Sequence, residues 1–246
     1  MKQSHRPLKL MLAILTCLAA GLCTLSGVAA ASPKDKPSQA QHSPYKPEHM
    51  FQKRFVFIDA GHGGIDGGTS YQDILEKDIN LAIAQKLYLL LKSEGIPALL
   101  NRTGDYALSD ENRWSGSRSR HQRDLAQRHQ LSEELPIDIY ISLHVNWGRH
   151  SNTRGAVVLH QEEGRSYMLA SAIQQHLNAM HGAGAHHLPE TGNRYYLIRK
   201  VKQPAVIVES GFISNTVDRE LSTSTRGQSL IAQQINKAIL YYLYSI

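Results

Sequence analysis

Residues 57–68 read FIDAGHGGIDGG, an apolar strand signal that breaks into paired glycines with a histidine among them. Glycines at such a break can cradle phosphate, but a phosphate-binding loop would leave His62 with nothing to do. The residues on either side of this turn decide the fold. Upstream, FVFID (55–59) is a short β-rich apolar run. Downstream, EKDINLAIAQKLYLLLKSEG (76–95) sets Ile79, Ile83, Leu87, Leu90 and Leu91 at helical spacing, with Gly95 at the C-terminal cap.

The alternation of strand and helix continues. IPALLNR (96–102) is a second strand, the Arg- and Ser-rich 110–135 holds a loop and a polar helix, and IDIYISLH (137–144) is a third strand of the kind buried in parallel sheets. GAVVLH (155–160) and AVIVES (205–210) read the same way, with helices expected near 164–180 and 226–244. No repeat and no second core interrupts the pattern. The fold class is α/β, one domain with a mostly parallel sheet.

The flanking residues set the compartment. Lys2, Arg6 and Lys9 precede an acid-free apolar run from Leu10 to Ala31, closed by Ala29, Ala30 and Ala31. Residues 1–31 therefore read as a signal peptide or an N-terminal membrane anchor, and either one exports the remainder to the wall or the extracellular side. Residues 32–54 are rich in Pro, Lys, Ser and Gln and read as a disordered linker. Cys17 and Cys23 both lie in the leader, so the exported part has no thiol. Any metal there is held by histidine and carboxylate. The chain carries a formal charge of +6, yet residues 55–246 hold 19 basic and 19 acidic groups. That neutrality argues against a nucleic-acid partner.

His62 follows one strand and His144 follows another, in YISLHVN, so a parallel sheet brings both to its carboxyl edge, where open α/β sheets hold their ligands. Glu76 begins the first helix near that edge, and Glu209 ends the strand AVIVE. Two imidazoles and one carboxylate make a usual catalytic zinc set with a position left open. The second carboxylate, Glu209, is then available to take a proton from water and deliver it to a leaving nitrogen, which suits amide hydrolysis. Each residue also has a plainer reading. His62 can cap a backbone group in the turn, His144 can be a satisfied core histidine, and Asp73-Ile74-Leu75-Glu76 has the spacing of a capping box. Glu209 is the hardest to explain away, because a buried unpaired carboxylate is costly.

FIDAGHGGIDGG, EKDINLAIAQKL, NRTGD, DIYISLHVN and PAVIVESGFISN occur in an order and spacing that resemble the zinc-dependent N-acetylmuramoyl-L-alanine amidases of the type 3 family. The resemblance covers residues 55 to about 245, making 55–246 the catalytic domain. It implies about six strands flanked by helices, one zinc ion per chain held by His62, Glu76 and His144, and Glu209 as the catalytic carboxylate. It further implies peptidoglycan as substrate, cut between the muramic-acid lactyl group and L-alanine. The short, single-domain form most resembles the spore-cortex members.

Between NRTGD and DIYISLH the chain departs from the family pattern. Arg123 or Arg128 fills the place of a family arginine in contacting substrate, and an Ala-Asn pair is missing; Asn146, two residues past His144, is a further candidate for substrate contact. HGAGAHHLPETGN (181–193) invites a metal reading, but adjacent His186 and His187 point apart in an extended segment, and a mobile surface loop at the mouth of the groove is expected. A secreted zinc peptidase of another class and a wall-binding protein without catalysis are the competing functions. Nothing in the sequence names an activating protein partner.

Overall fold

The computed structural model describes residues 55–111 and 117–245, and the leader read at 1–31 and the linker read at 32–54 lie outside the described residues. In chain order the elements are β1 (Phe55–Ala60), β2 (Ser70–Tyr71), β3 (Ile74–Leu75), α1 (Glu76–Ser93), β4 (Ala98–Leu100), α2 (Leu108–Glu111), α3 (Arg120–Glu134) and β5 (Ile137–Asn146). They continue with β6 (Val157–His160), α4 (Gly164–His181), β7 (Glu190–Thr191), α5 (Tyr196–Lys200), β8 (Ala205–Phe212), α6 (Thr216–Thr223) and α7 (Thr225–Ser245). Among the described residues no helix is long and apolar enough to cross a membrane.

One sheet of six strands runs in the order β4-β1-β5-β8-β6-β7. β4, β1, β5 and β8 are mutually parallel, as the sequence reading requires. β6 runs antiparallel to β8, and β7 follows β6. The expectation that GAVVLH lies like its neighbours is corrected by the connection before it. Residues 147–156 form no helix, so the chain re-enters the sheet from the edge it has just left, whereas a parallel return needs a crossover.

The period-two alternation of the strands divides the core. Val56, Ile58, Ile139, Ile141, Val206 and Val208 face helices α1, α4 and α7, meeting Ile83, Leu87, Ile173, Leu177, Ile235 and Ile239. Phe57, Tyr140 and Ile207 face the other way, against Leu197 and Ile198 of α5 and Leu125 and Leu131 of α3. Phe57 stacks on Tyr140 at 5.2 Å. Burial of each such side chain contributes about 1.5–3 kcal/mol. By the same alternation Asp59, Ser142, His144 and Glu209 lie on the face with Phe57, Tyr140 and Ile207. The polar residues therefore emerge beneath α3 and α5, where fewer helices cover the sheet.

Helix α1 does not start with the capping box that Asp73 suggested. Its N-cap is Leu75, with no side-chain cap, because Asp73 sits in the turn of the β2–β3 hairpin. The first amides of α1 bond to main chain instead, Glu76 N–H to the Thr69 carbonyl at 3.0 Å and Lys77 N–H to the Gly67 carbonyl at 3.1 Å. The hairpin thus satisfies the helix end and leaves the Glu76 carboxylate free of capping duty.

Candidate metal centre and active site

His62 lies two residues past β1 with φ of +60°, a left-handed conformation that a non-glycine residue keeps only where its surroundings hold it. Two buried guanidiniums do the holding. Arg102 donates through Nη2 to the carbonyls of Gly61 (3.1 Å) and Lys77 (2.8 Å), and through Nε to that of Ala60 (3.1 Å). Arg128 of α3 donates through Nη2 to the His62 carbonyl at 2.8 Å and through Nη1 to that of Ala60 at 3.0 Å. Two glycines then let the side chains close on one another. A Cβ on Gly61 would stand 2.4 Å from His144 Cε1, and one on Gly68 would stand 2.5 Å from Glu76 Oε2 and 2.7 Å from His62 Cδ2.

His144 and Glu209 are register partners on adjacent parallel strands, which sets their side chains side by side at the carboxyl edge. Glu76 Oε1 lies 2.9 Å from His144 Nδ1 and 3.3 Å from His62 Nε2. The same oxygen accepts from Val145 N–H at 3.1 Å, while Oε2 accepts from Thr69 N–H at 2.8 Å. The imidazoles meet edge to face, with centroids 4.9 Å apart. On the far side of His62, Asp66 Oδ2 stands 2.9 Å from Nδ1, and Gly68 N–H donates to Asp66 Oδ1. A carboxylate at Nδ1 fixes the tautomer and turns the Nε2 lone pair toward Glu76, the arrangement that supports metal-binding histidines.

The electrostatics follow from this crowding. Burial pulls His62 down, but the hydrogen bond and charge of Glu76, then those of Asp66, raise it to about 9. Burial pushes Glu76 up, and the hydrogen bonds from His144 and His62 overcome this to hold it well below the carboxylate range. Glu209 has no such partners. Burial, with the charge of Glu76 adding to it against the two histidines and Arg194, raises it to about 7.

Donor atoms of His62, Glu76 and His144 all lie within 4.8 Å of one another, forming the one cluster among the described residues able to hold a metal ion. Two imidazole nitrogens and a carboxylate oxygen, without thiolate, suit zinc with positions left for water and substrate. Glu209 adds an independent sign, since its Oε2 is buried with no hydrogen-bond partner. A buried oxygen of this kind is costly unless a proton or cation meets it. The residues fit the ion.

The cluster opens into a cavity of about 540 Å³, whose wall includes Asn146, Trp147, Arg194, Tyr195 and Arg199 as well as Glu209. Of the expected substrate contacts, Asn146 lines this cavity. Arg123 and Arg128 do not. Arg123 turns Nη1 to the carbonyls of Ser117 and Arg118. Arg128 is 2% exposed and paired with Asp59 and Asp124, so its place is beneath the site. The 181–193 stretch is not at the mouth of this groove, since none of its residues lines the cavity; there, Asn178 accepts from His187 N–H and donates to the His187 carbonyl, while His187 Nε2 lies 2.8 Å from the Arg154 carbonyl. The reading overlooked Asp66, Arg102, Arg194 and Tyr195. Asp66 alone left a local signal, standing four residues after His62 in GHGGID.

A profile of the N-acetylmuramoyl-L-alanine amidase family matches residues 56–241. The germination-specific N-acetylmuramoyl-L-alanine amidase of Bacillus subtilis strain 168 is 30% identical over 196 residues, which cover 77% of this chain and 79% of that protein. The CwlD amidase of Clostridioides difficile, solved in complex with the GerS lipoprotein, superposes with a TM-score of 0.73 at 29% identity, over 78% of this chain and 100% of the other. The catalytic domain of the amidase CwlV from Bacillus (Paenibacillus) polymyxa var. colistinus gives 0.66 at 28% identity, over 78% and 98% of the two chains.

Proposed function

The chain belongs to the N-acetylmuramoyl-L-alanine amidase family, and from that premise we propose that it is an exported, zinc-dependent hydrolase of the bond between the muramic lactyl group and L-alanine. The observation that carries this reading is the convergence of His62, Glu76 and His144 donor atoms within 4.8 Å beside the orphaned oxygen of Glu209. His62 Nε2, His144 Nδ1 and a Glu76 oxygen would hold one zinc ion. Zinc held there polarises the scissile carbonyl and makes water a stronger acid.

The remaining work falls to the chain. Glu209, buried beside the metal ligands with an oxygen that has no hydrogen-bond partner, is available for general acid–base catalysis. It takes a proton from the water that attacks the lactyl carbonyl carbon. As the C–N bond breaks it passes that proton to the L-alanine nitrogen, leaving a lactyl carboxylate and a free amine. No covalent intermediate is required. Asn146 lines the crevice and is assigned to orient substrate. Arg102 and Arg128 keep His62 on its strained turn.

The germination-specific relative supports a place in spore-cortex maturation. The basic, apolar leader supports export with cleavage or anchoring at the membrane, and the GerS complex of the C. difficile structure supports a lipoprotein partner for this chain too. Muropeptide mass spectrometry tests the reaction. Free muramic lactyl carboxylate and peptides beginning with L-alanine are expected, and both should vanish with chelator and return with zinc. Cuts between peptide residues would favour another class of zinc peptidase, and no cut at all a wall-binding role.

A further inference from the structure

The wall of the crevice formed by α5 and the turn before it differs in charge from the metal side. Both carboxylates in the lining, Glu76 and Glu209, are committed to the proposed chemistry, whereas Arg194 and Arg199, on α5 and the turn before it, bring positive charge to the same lining. Arg194 donates to the Tyr195 hydroxyl at 3.0 Å, with its guanidinium 5.0 Å from that ring. Arg199 turns Nη1 back to the carbonyls of Asn193 (3.3 Å) and Arg194 (3.2 Å). Neither cation forms an ion pair in these contacts; Glu190 and Glu209 act on Arg194 only through their charge.

The turn that carries Arg194 is fixed. Gly192 N–H donates to the His160 carbonyl at 2.9 Å, Tyr195 N–H to the Gly192 carbonyl at 2.8 Å, and Asn193 Nδ2 to Glu162 at 2.7 Å. A guanidinium with no ion-pair partner, on a fixed turn and stiffened by a neighbouring ring, is suited to a planar anion. In the stem peptide the residue after L-alanine is a glutamic acid joined through its side chain, so its α-carboxyl group stays free, or is capped as an amide. This group lies on the leaving-amine side of the scissile bond.

We infer that Arg194, steadied by Tyr195 and Arg199, binds this free α-carboxylate and makes the enzyme discriminate against stem peptides amidated there. The inference rests on the amidase reading and deepens it. The test uses two synthetic muramoyl peptides that differ only in carboxylate or carboxamide at that position, with kcat/KM measured for the full chain loaded with zinc. A charge-assisted hydrogen bond from an exposed guanidinium predicts a preference of about five- to tenfold for the carboxylate, expressed mainly in KM. Arg194→Gln should bring the ratio to near one, and Arg194→Lys should keep part of it. Zinc content of each variant, measured in parallel, checks that the metal side is intact. A native ratio near one, or a ratio that survives Arg194→Gln, overturns the inference while the amidase reading stands. Failure to release L-alanine peptide from either substrate overturns both.

Discussion

Glu76 and Glu209 differ by what surrounds them. Each oxygen of Glu76 accepts from main-chain N–H, at Val145 and Thr69, while Glu209 Oε2 has no partner. Glu209→Gln should therefore keep its zinc and lose activity by about 10²–10⁴-fold, the usual contribution of a general base. Glu76→Gln should lose zinc first; elemental analysis and rate measurement on both variants check the assignment, and the opposite pattern would exchange their roles. Because His62 is raised to about 9 without metal, zinc must displace its proton at neutral pH. Calorimetry at pH 7.5 in buffers of different ionisation enthalpy should show release of about one proton per ion from this group, and affinity should climb as pH rises toward that value. Uptake of protons would rule this out. Gly61→Ala should cost metal affinity through the His144 ring, whose Cε1 stands 2.4 Å from the added Cβ. The four principal side chains were legible because each sits within three residues of a strand or helix end, although β5 runs on past His144 to Asn146 and β8 past Glu209 to Phe212, beyond the ends read from the sequence. Arg102 and Arg128 were not, since their targets are main-chain carbonyls about forty and sixty-six residues away, and sequence spacing carries no sign of such a contact.

At the level of elements, legibility followed length. β1, α1, β5, α4, β8 and α7 carry enough turns or alternations to state their period, and all appear within a few residues of the expected bounds. β7, with two residues, α5, with five, and α6, with eight, are too short or too polar to do so. The direction of β6 was hidden for another reason: four buried residues read alike in either sense. Beyond its ladder with β8, that reversed strand is clamped at its start by a residue of the unforeseen α6. Asp218 Oδ2 accepts from Gly155 N–H at 2.8 Å, just before β6, and from Phe212 N–H at 2.9 Å, at the end of β8. Asp218→Ala would leave two buried donors unpaired, so a loss of about 2–4 kcal/mol is expected in urea unfolding. Asp218→Asn, which retains an acceptor, should lose less. Burial raises Asp218, and the contact with His181 together with these two amides outweighs it, so its folded value is depressed. Its stabilisation is thus complete above the ordinary aspartate value near 4 and fades as pH falls through the lower folded one. Equal losses for Ala and Asn would show that the carboxylate's charge, rather than its acceptance of the two amides, matters most.

Across the whole molecule, one buried network ties the sheet to the site it carries. Asp59, fully buried in β1, accepts from Ser142 Oγ of β5 at 2.6 Å and from Asn101 Nδ2, just past β4. Arg128 of α3 completes it, pairing with Asp59 while donating to the carbonyls of Ala60 and His62. Three strands, one helix and the metal turn therefore share one ion pair. Arg128→Met would strand the Asp59 charge in the core, where breaking a buried pair typically costs about 3–5 kcal/mol. Asp59→Asn combined with Arg128→Met should cost less than the sum of the singles, because the double variant leaves no uncompensated charge. Acidity gives the sharper test. Burial drives Asp59 upward, and Arg128 first, then Ser142, overcome it to leave the folded value below the ordinary one. In the native protein the folded state then holds fewer protons than the unfolded chain as pH falls below about 4, and this share of stability is lost there. Without Arg128 the largest opposition to burial is gone and only Ser142 and His144 still lower the group, so the folded value is expected to rise above the unfolded one and the sign to reverse. Stability of Arg128→Met should then fall as pH climbs from about 4 toward 6, relative to native. Urea midpoints measured across that range on both proteins, with chelator present to remove any metal contribution, decide the matter. Parallel pH profiles would mean that Arg128 does not govern the titration of Asp59.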